Sequence, residues 1–200
     1  MNEEALCTAL MQRLFVPIEA SGRHVHLTEE AAQQLFGHGL TAERPLSQPG
    51  QFLCRERVSL LGPKGRFDRV AVLGPARSAC QVEISLTDAR TLGIDAPVRL
   101  SGSIDGSPGI VLETGAGRLE LKSGVIVAER HLHLSTEEAE RLKVQDGEIV
   151  NVRCFTARPV IFEAVPVRVH PQFRAALHLD YDEANACGFR SGDLCLICRG

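Results

Sequence analysis

Two short motifs carry the strongest chemical signal in the sequence, His24-Val25-His26 and His131-Leu132-His133. In an extended strand, residues i and i+2 point to the same face. Each pair therefore offers two imidazoles to one metal ion, and neutral imidazole suits zinc and other borderline divalent ions. One such pair is weak evidence. Two copies, each preceded by an arginine (Arg23, Arg130) and followed by a leucine (Leu27, Leu134), are harder to ascribe to chance.

The pairs belong to a longer repeat. Stretches His24–Ala31, Glu83–Ala89, His131–Ala139 and His178–Ala184 share one plan: a strand-like run, a cap residue, a short helix with an alanine, and commonly a glycine. Thr28, Thr87, Ser135 and either Asp180 or Asp182 are the N-cap candidates, since their side-chain oxygens can accept an orphan backbone N–H. Ser135 with Glu138 fits a capping box, and Gly93 and Gly188 fit left-handed helix ends. Glu83, His133 and His178 each lie six residues before the helix alanine, and His26 lies five before it. Helix-start patterns are common, so the repeat alone also reads as ordinary strand-to-helix punctuation. Together with the two pairs it points to convergence on one site, in which Glu83 and His178 bring the ligands to six. Two ions with three protein ligands each keep open positions, as catalytic zinc requires.

The loop from Leu73 to Glu83 carries Arg77 six residues before Glu83. An arginine fork in a turn with free backbone N–H groups makes an oxyanion or phosphate clamp, against the plainer reading of a surface arginine. Gly62-Pro63-Lys64-Gly65 is a second tight turn with a cation, either an ordinary hairpin turn or a contact for an anionic cofactor. Cys195-Leu196-Ile197-Cys198 has metal-motif spacing, but on a strand i and i+3 face opposite ways, so these read as core cysteines. Cys7, Cys54, Cys80, Cys154 and Cys187 are scattered and read as inert. His38 and His170 sit in turn contexts and read as solvated. There is no Ser-His-Asp signature, Walker-type loop or dinucleotide fingerprint.

The elements that must position these residues are mostly strands. β-like runs appear at Arg57–Leu61, Arg69–Leu73, Pro97–Leu100, Gly109–Leu112, Gly124–Ala128, Glu148–Arg153, Val160–Val169 and Leu194–Cys198, punctuated by Gly and Pro. Many short strands with such turns predict barrels or sandwiches. Residues 3–15 place Leu6, Ala9, Leu10 and Leu14 at helical spacing, a short amphipathic helix that either packs on the body or docks elsewhere. Leu40–Gln51, with Pro45, Pro49 and Gly50, is the expected linker, with a weaker boundary near Lys122–Gly124. Composition narrows the class further. With 200 residues, a net charge of −3, eight Phe, one Tyr and no Trp, neither a basic stripe nor a stacking platform for nucleic acid is expected. No apolar run approaches the length of a membrane span. The acidic start lacks an apolar core, so no export signal is expected, and seven cysteines without framework spacing suit a reducing, cytoplasmic compartment.

At this point the chain resembles a known family, the phosphate propanoyltransferases, PduL-type phosphotransacylases associated with bacterial microcompartments. The matching motifs are Arg23–Leu27, Gln51-Phe52, Leu61–Gly65, Val72–Ser78, Gln81–Ser85, Thr87–Arg90, Leu92–Ile94, Ala96–Arg99, Ser101-Gly102, Pro108–Ile110, Gly124–Ile126, Arg130–Leu134 and Asp182–Ala186. The resemblance covers roughly residues 15–198. The resemblance implies a mainly β fold with short α-helices, two small β-barrels capped by helices, usually as a homodimer. Residues 1–46 with 125–200 would form one barrel and 47–124 the other. It implies two zinc ions per subunit in a dinuclear site, with His24, His26, Glu83, His131, His133 and His178 as ligands and Arg77 as the catalytic, phosphate-binding arginine. Ala20, Ser21, Gly22, Lys64, Ala71 and Asn185 match positions that contact coenzyme A, although Ala20 stands where Val is commoner and Gly22 where Ala is. The implied reaction is acyl-CoA (propanoyl-CoA or acetyl-CoA) plus phosphate giving acyl phosphate plus CoA, with phosphate attacking the thioester directly. The implied setting is the cytoplasm or a microcompartment, with shell proteins as partners in the second case. The same ligands also suit a dinuclear zinc hydrolase of thioesters or phosphoesters. A metal-stabilised structural or interaction module is the non-enzymatic alternative.

Overall fold

The computed structural model describes residues 13–198. Of the segment expected to be an amphipathic helix, residues 3–12 lie outside that range, and Phe15 already opens the first strand, β1 (Phe15–Ala20). The chain is mainly β with short helices, and it divides into two units with separate hydrophobic cores.

The unit Gly22–Glu129 carries β2 (His24–His26), α1 (Glu29–Phe36), β3 (Ala42–Pro45), β4 (Phe52–Leu61), β5 (Arg66–Gly74), β6 (Gln81–Ile84), α2 (Leu86–Leu92), β7 (Val98–Arg99), β8 (Ile110–Glu113), β9 (Arg118–Leu121) and β10 (Val125–Ala128). Its strands form a nine-stranded half-barrel sheet in the order β7-β10-β6-β2-β5-β4-β8-β9, with β3 paired to β4. The other unit takes residues up to Ser21 and from Arg130 onward. It carries β1, β11 (His131–Leu134), α3 (Thr136–Leu142), β12 (Ile149–Phe155), β13 (Val160–Val169), β14 (Ala176–Leu179), α4 (Tyr181–Cys187) and β15 (Leu194–Cys198). Its six strands close into a barrel in the order β1-β14-β11-β13-β12-β15. Period-two alternation sets the inner face, as in β12, where Val150, Val152 and Cys154 are buried between exposed neighbours. β2 and β11 differ, being buried along their whole length. Val25 and Leu132 face the cores, and the flanking histidines occupy the opposite, also covered, face.

The two units repeat one frame. β4-β5-β2-β6-β10 and β12-β13-β11-β14-β1 run through the same succession of pairings: antiparallel, parallel, antiparallel, parallel. The outermost strand of each frame is supplied by the residues just before the other unit's Arg-His-x-His motif. The chain crosses between units at Ser21/Gly22 and Glu129/Arg130. This moves the division expected at residues 46 and 124. Residues 22–46 pack in the half-barrel unit because β2 pairs with β5 and β6 there, and residues 125–128 stay there because β10 pairs with β6. Nor is Leu40–Gln51 an unstructured linker. β3 lies within it, but all four of its residues are exposed, so it shows no alternation in sequence.

Each ligand-bearing strand runs straight into a helix. Thr28, Ser85, Ser135 and Asp180 cap the helices that follow these strands, each accepting the backbone N–H three residues on. The cap of α2 is Ser85 rather than Thr87, because the chain leaves β6 at Ile84 and Thr87 is already helical. Gly93 and Gly188 end α2 and α4 in left-handed conformations, and Lys143 (φ 54°) takes that place after α3. Replacing the fully buried Leu132 with Ala, between the two histidines of β11, is expected to cost about 3 kcal/mol of stability, read from urea denaturation.

Candidate metal centres

The repeated frame places three of the six predicted ligands together in each unit. In the half-barrel, antiparallel pairing sets His24 directly opposite Glu83 and His26 opposite Gln81. In the barrel, the same pairing sets His131 opposite His178 and His133 opposite Ala176. The ligand atoms of each triad lie within 4.8 Å of one another. Glu83 Oε1 is 3.5 Å from His24 Nε2 and 3.7 Å from His26 Nε2. In the barrel, the His131 and His178 rings stack at 5.0 Å, and His133 meets them edge-on at 4.5 and 4.8 Å.

Both triads suit a metal ion. His24 Nδ1 lies 2.8 Å from the Gly22 carbonyl and His26 Nδ1 3.3 Å from the Leu73 carbonyl. A carbonyl only accepts, so each Nδ1 carries a proton and each Nε2 is the nitrogen turned toward Glu83. His133 is buried with neither ring nitrogen hydrogen-bonded, an expensive state that a ligated ion would relieve. Burial, helped by His131, His178 and Arg168, pushes His133 down to about 2, and burial with His24 and Arg77 pushes His26 down to about 3. Both are therefore neutral, ligand-ready imidazoles at neutral pH. Burial opposes charge on His24 and Glu83 as well. Each nonetheless favours its charged form, because the carboxylate and the imidazole face each other. A divalent cation held by His24 would take over the role of that proton.

Arg77 sits in the loop between β5 and β6. Its backbone N–H is committed to the Leu27 carbonyl (2.8 Å) and is not available to an anion, but its guanidinium reaches Ser101 Oγ at 3.1 Å. Of the residues matched to coenzyme A contacts, Gly22, Lys64 and Ala71 lie in the half-barrel unit, with Ala71 beside His24 across β2 and β5. Lys64 is exposed at the β4–β5 turn, its N–H bonded to the Leu92 carbonyl. Ala20, Ser21 and Asn185 lie in the barrel unit: Ala20 opposite Leu179, Ser21 bonded to the Leu179 carbonyl, Asn185 exposed on α4. Cys195 is buried in the barrel and Cys198 half-exposed on the same strand, with burial pushing the Cys195 thiol up. His38 and His170 are exposed and belong to neither triad.

The arginines that precede the two histidine pairs have a role that their spacing did not define. Arg23 forms a bidentate pair with the buried Asp88 (2.7 and 3.1 Å) and lies 4.1 Å over the Phe67 ring. Arg130 pairs with Glu183 at 2.7 Å and lies 5.6 Å from the Phe162 ring. Asp88 and Glu183 are the capping-box acids of α2 and α4. Each arginine thus ties the start of a histidine strand to the helix that follows the third ligand. Gln81 and Ser101 were also missed as site residues. Gln81 could have been found from its i, i+2 spacing to Glu83, whereas Ser101 is 18 residues from Glu83 and has no local signal.

A family model for phosphate propanoyltransferase matches residues 17–190. The phosphate propanoyltransferase of Leptotrichia buccalis is 54% identical over 177 residues, covering 88% of this chain and 84% of the relative. That of Clostridioides difficile is 47% identical over 201 residues, covering 98% and 96%. That of Salmonella typhimurium is 48% identical over 180 residues, covering 89% and 86%.

The shifted histidines set a pH dependence for the metal-free protein. Between the ordinary imidazole value of 6.5 and their folded values near 3 and 2, His26 and His133 hold fewer protons folded than unfolded. Their contribution is full above 6.5 and is lost as pH falls through that window. His24, whose value is raised, acts oppositely: its contribution is present below 6.5 and lost as pH rises through its folded value. Glu83, held low, contributes above 4.5 and loses that as pH falls further. With two histidines against one, the urea midpoint of chelated protein is expected to fall as pH drops from about 7 to about 5. His133→Gln should flatten that fall.

Proposed function

The chain belongs to the phosphate propanoyltransferase family and is an acyltransferase, and from that premise we propose that phosphate attacks the thioester of propanoyl-CoA or acetyl-CoA directly at a dinuclear zinc centre. A phosphate oxygen bonds to the carbonyl carbon, the carbon–sulfur bond breaks, and CoA leaves as the thiolate. Family membership favours this over the hydrolase and over the purely structural module. The observation that carries the reading is Arg77. Its charge acts on both His24 and His26, and one hydroxyl separates its guanidinium from Glu83.

His24, His26 and Glu83 would hold one zinc ion and His131, His133 and His178 the other, supplying Lewis-acid polarisation of the thioester carbonyl and charge neutralisation for phosphate. Arg77 binds phosphate through its planar fork and fixes the direction of the attacking oxygen. Lys64, exposed in its turn, offers its ammonium to a phosphate of CoA. Ala20, Ser21, Gly22, Ala71 and Asn185 supply the remaining CoA contacts. On the strength of the resemblance alone, the reading extends to a homodimer in the cytoplasm or in a microcompartment. Shell proteins are then partners through residues 3–15. Among the described residues, no helix is long and apolar enough to cross a membrane.

The test follows CoA release from acetyl-CoA and propanoyl-CoA with and without phosphate, before and after chelation. Release is expected to need phosphate, to yield acyl phosphate, to stop on chelation and to return with zinc. Release without phosphate, yielding free acid, would mark a hydrolase; full activity after chelation would remove the metal. Arg77→Ala should raise the KM for phosphate by about tenfold or more, the effect of losing one charge-assisted hydrogen bond. Cys80→Ala should keep turnover, and its loss with zinc content intact would contradict direct attack.

A further inference from the structure

The side chains around Glu83 form a closed hydrogen-bond relay. Gly102 N–H donates to Gln81 Oε1 at 2.8 Å, which fixes the amide orientation, because a backbone N–H can only face the carbonyl oxygen. The Gln81 amino group is therefore turned the other way. Its two protons go to Glu83 Oε1 (2.5 Å) and Ser101 Oγ (2.9 Å). The Ser101 hydroxyl donates its single proton to Glu83 Oε1 at 2.7 Å. Its two lone pairs accept from Gln81 and from Arg77 Nη1 at 3.1 Å. Every hydrogen-bonding capacity of the Ser101 hydroxyl is used, and the directions are set by groups with no alternative role.

We infer that Ser101, oriented by Gln81, is a positioning residue that holds the Arg77 guanidinium and the Glu83 carboxylate in register with each other. The inference rests on the reading of Arg77 as the phosphate clamp and Glu83 as a metal ligand. Gln81 is 2% exposed and Glu83 6% exposed, so neither side chain has bulk water to substitute for a lost partner. Ser101 reaches the cluster because β7 stops at Arg99 and the chain turns, with Ser103 N–H bonded to the Leu100 carbonyl. The second frame sharpens the point. The register that aligns Gln81, Glu83 and Arg77 with the barrel unit puts Ala176, His178 and Gln172 at the corresponding places. Alanine has no side-chain hydrogen bond to give, and His178 has a different neighbour, the Glu19 carboxylate 3.9 Å from its Nδ1. The relay thus accompanies the two features that distinguish this triad, its acidic ligand and its neighbouring arginine.

A relay of this kind acts on two measurable quantities. It sets the position of Arg77 for phosphate, and it limits the swing of Glu83 away from an ion. Ser101→Ala is expected to raise the KM for phosphate about five- to tenfold while the KM for acyl-CoA stays within about twofold. In the zinc-loaded protein it should speed release of one of the two ions to the chelator 4-(2-pyridylazo)resorcinol by about tenfold or more. Ser101→Thr, which keeps the hydroxyl, should restore both. In an Arg77→Ala background, Ser101→Ala should add nothing to the phosphate KM yet still speed zinc release. Unchanged phosphate KM and zinc release in Ser101→Ala would overturn the inference, as would an additive rise in phosphate KM with Arg77→Ala. If Arg77→Ala alone leaves the phosphate KM unaltered, the clamp reading of Arg77 fails. The zinc-release arm then still decides whether Ser101 steadies Glu83.

Discussion

The antiparallel pairing of each histidine strand with its neighbour is the constraint on which the rest depends. Two alternate residues on one strand provide a pair of imidazoles, but a pair is not a site. The third ligand arrives only because β6 and β14 are held in register, Glu83 across from His24 and His178 across from His131. A slip of one residue would turn Glu83 or His178 to the opposite face and dissolve the triad. The surrounding architecture prevents that slip. Val25 and Leu132 are fully buried in the cores, and the caps at Thr28, Ser85, Ser135 and Asp180 end every ligand strand at a defined residue. The Arg23–Asp88 and Arg130–Glu183 pairs tie each histidine strand to the helix beyond its partner.

The frame is used twice and tuned differently each time. In the barrel, α4 leads to β15, which runs antiparallel to β1 and β12 and closes the ring. In the half-barrel, α2 leads to the two-residue β7, parallel to β10, and the chain then turns away. That early turn carries Ser101 to Glu83. The two triads also differ in charge. His24, His26 and Glu83 present a carboxylate beside an arginine, whereas the other triad presents three imidazoles and no carboxylate. On the proposed reading, a divalent ion would keep more of its charge on the all-histidine set, and Arg77 beside the acidic triad would offset the charge of phosphate.

Much of this was legible from the residues. The two His-x-His pairs, the recurrence of Glu83 and His178 before a capped helix, and the opposed faces of Cys195 and Cys198 follow from strand and helix periodicity. So does most of the strand list. What escaped detection depended on distant pairing. The exposed β3 carries no alternation, so it looked like a linker. The crossing points at residues 21/22 and 129/130 are set by which sheet accepts β2 and β10, and composition is silent on that. Thr87 reads as the cap from its place in the repeat, and only the end of β6 at Ile84 puts the cap two residues earlier, at Ser85. Ser101 reaches Glu83 only through the turn after β7.

On the proposed reading each triad holds its own ion. The direct measurement is zinc content by elemental analysis of the purified full chain, alongside His26→Ala and His133→Ala, with folding checked by circular dichroism. Two zinc ions per chain are expected in the parent and one in each variant, since the two triads share no ligand. One ion per chain in the parent, or two retained in both variants, would contradict it.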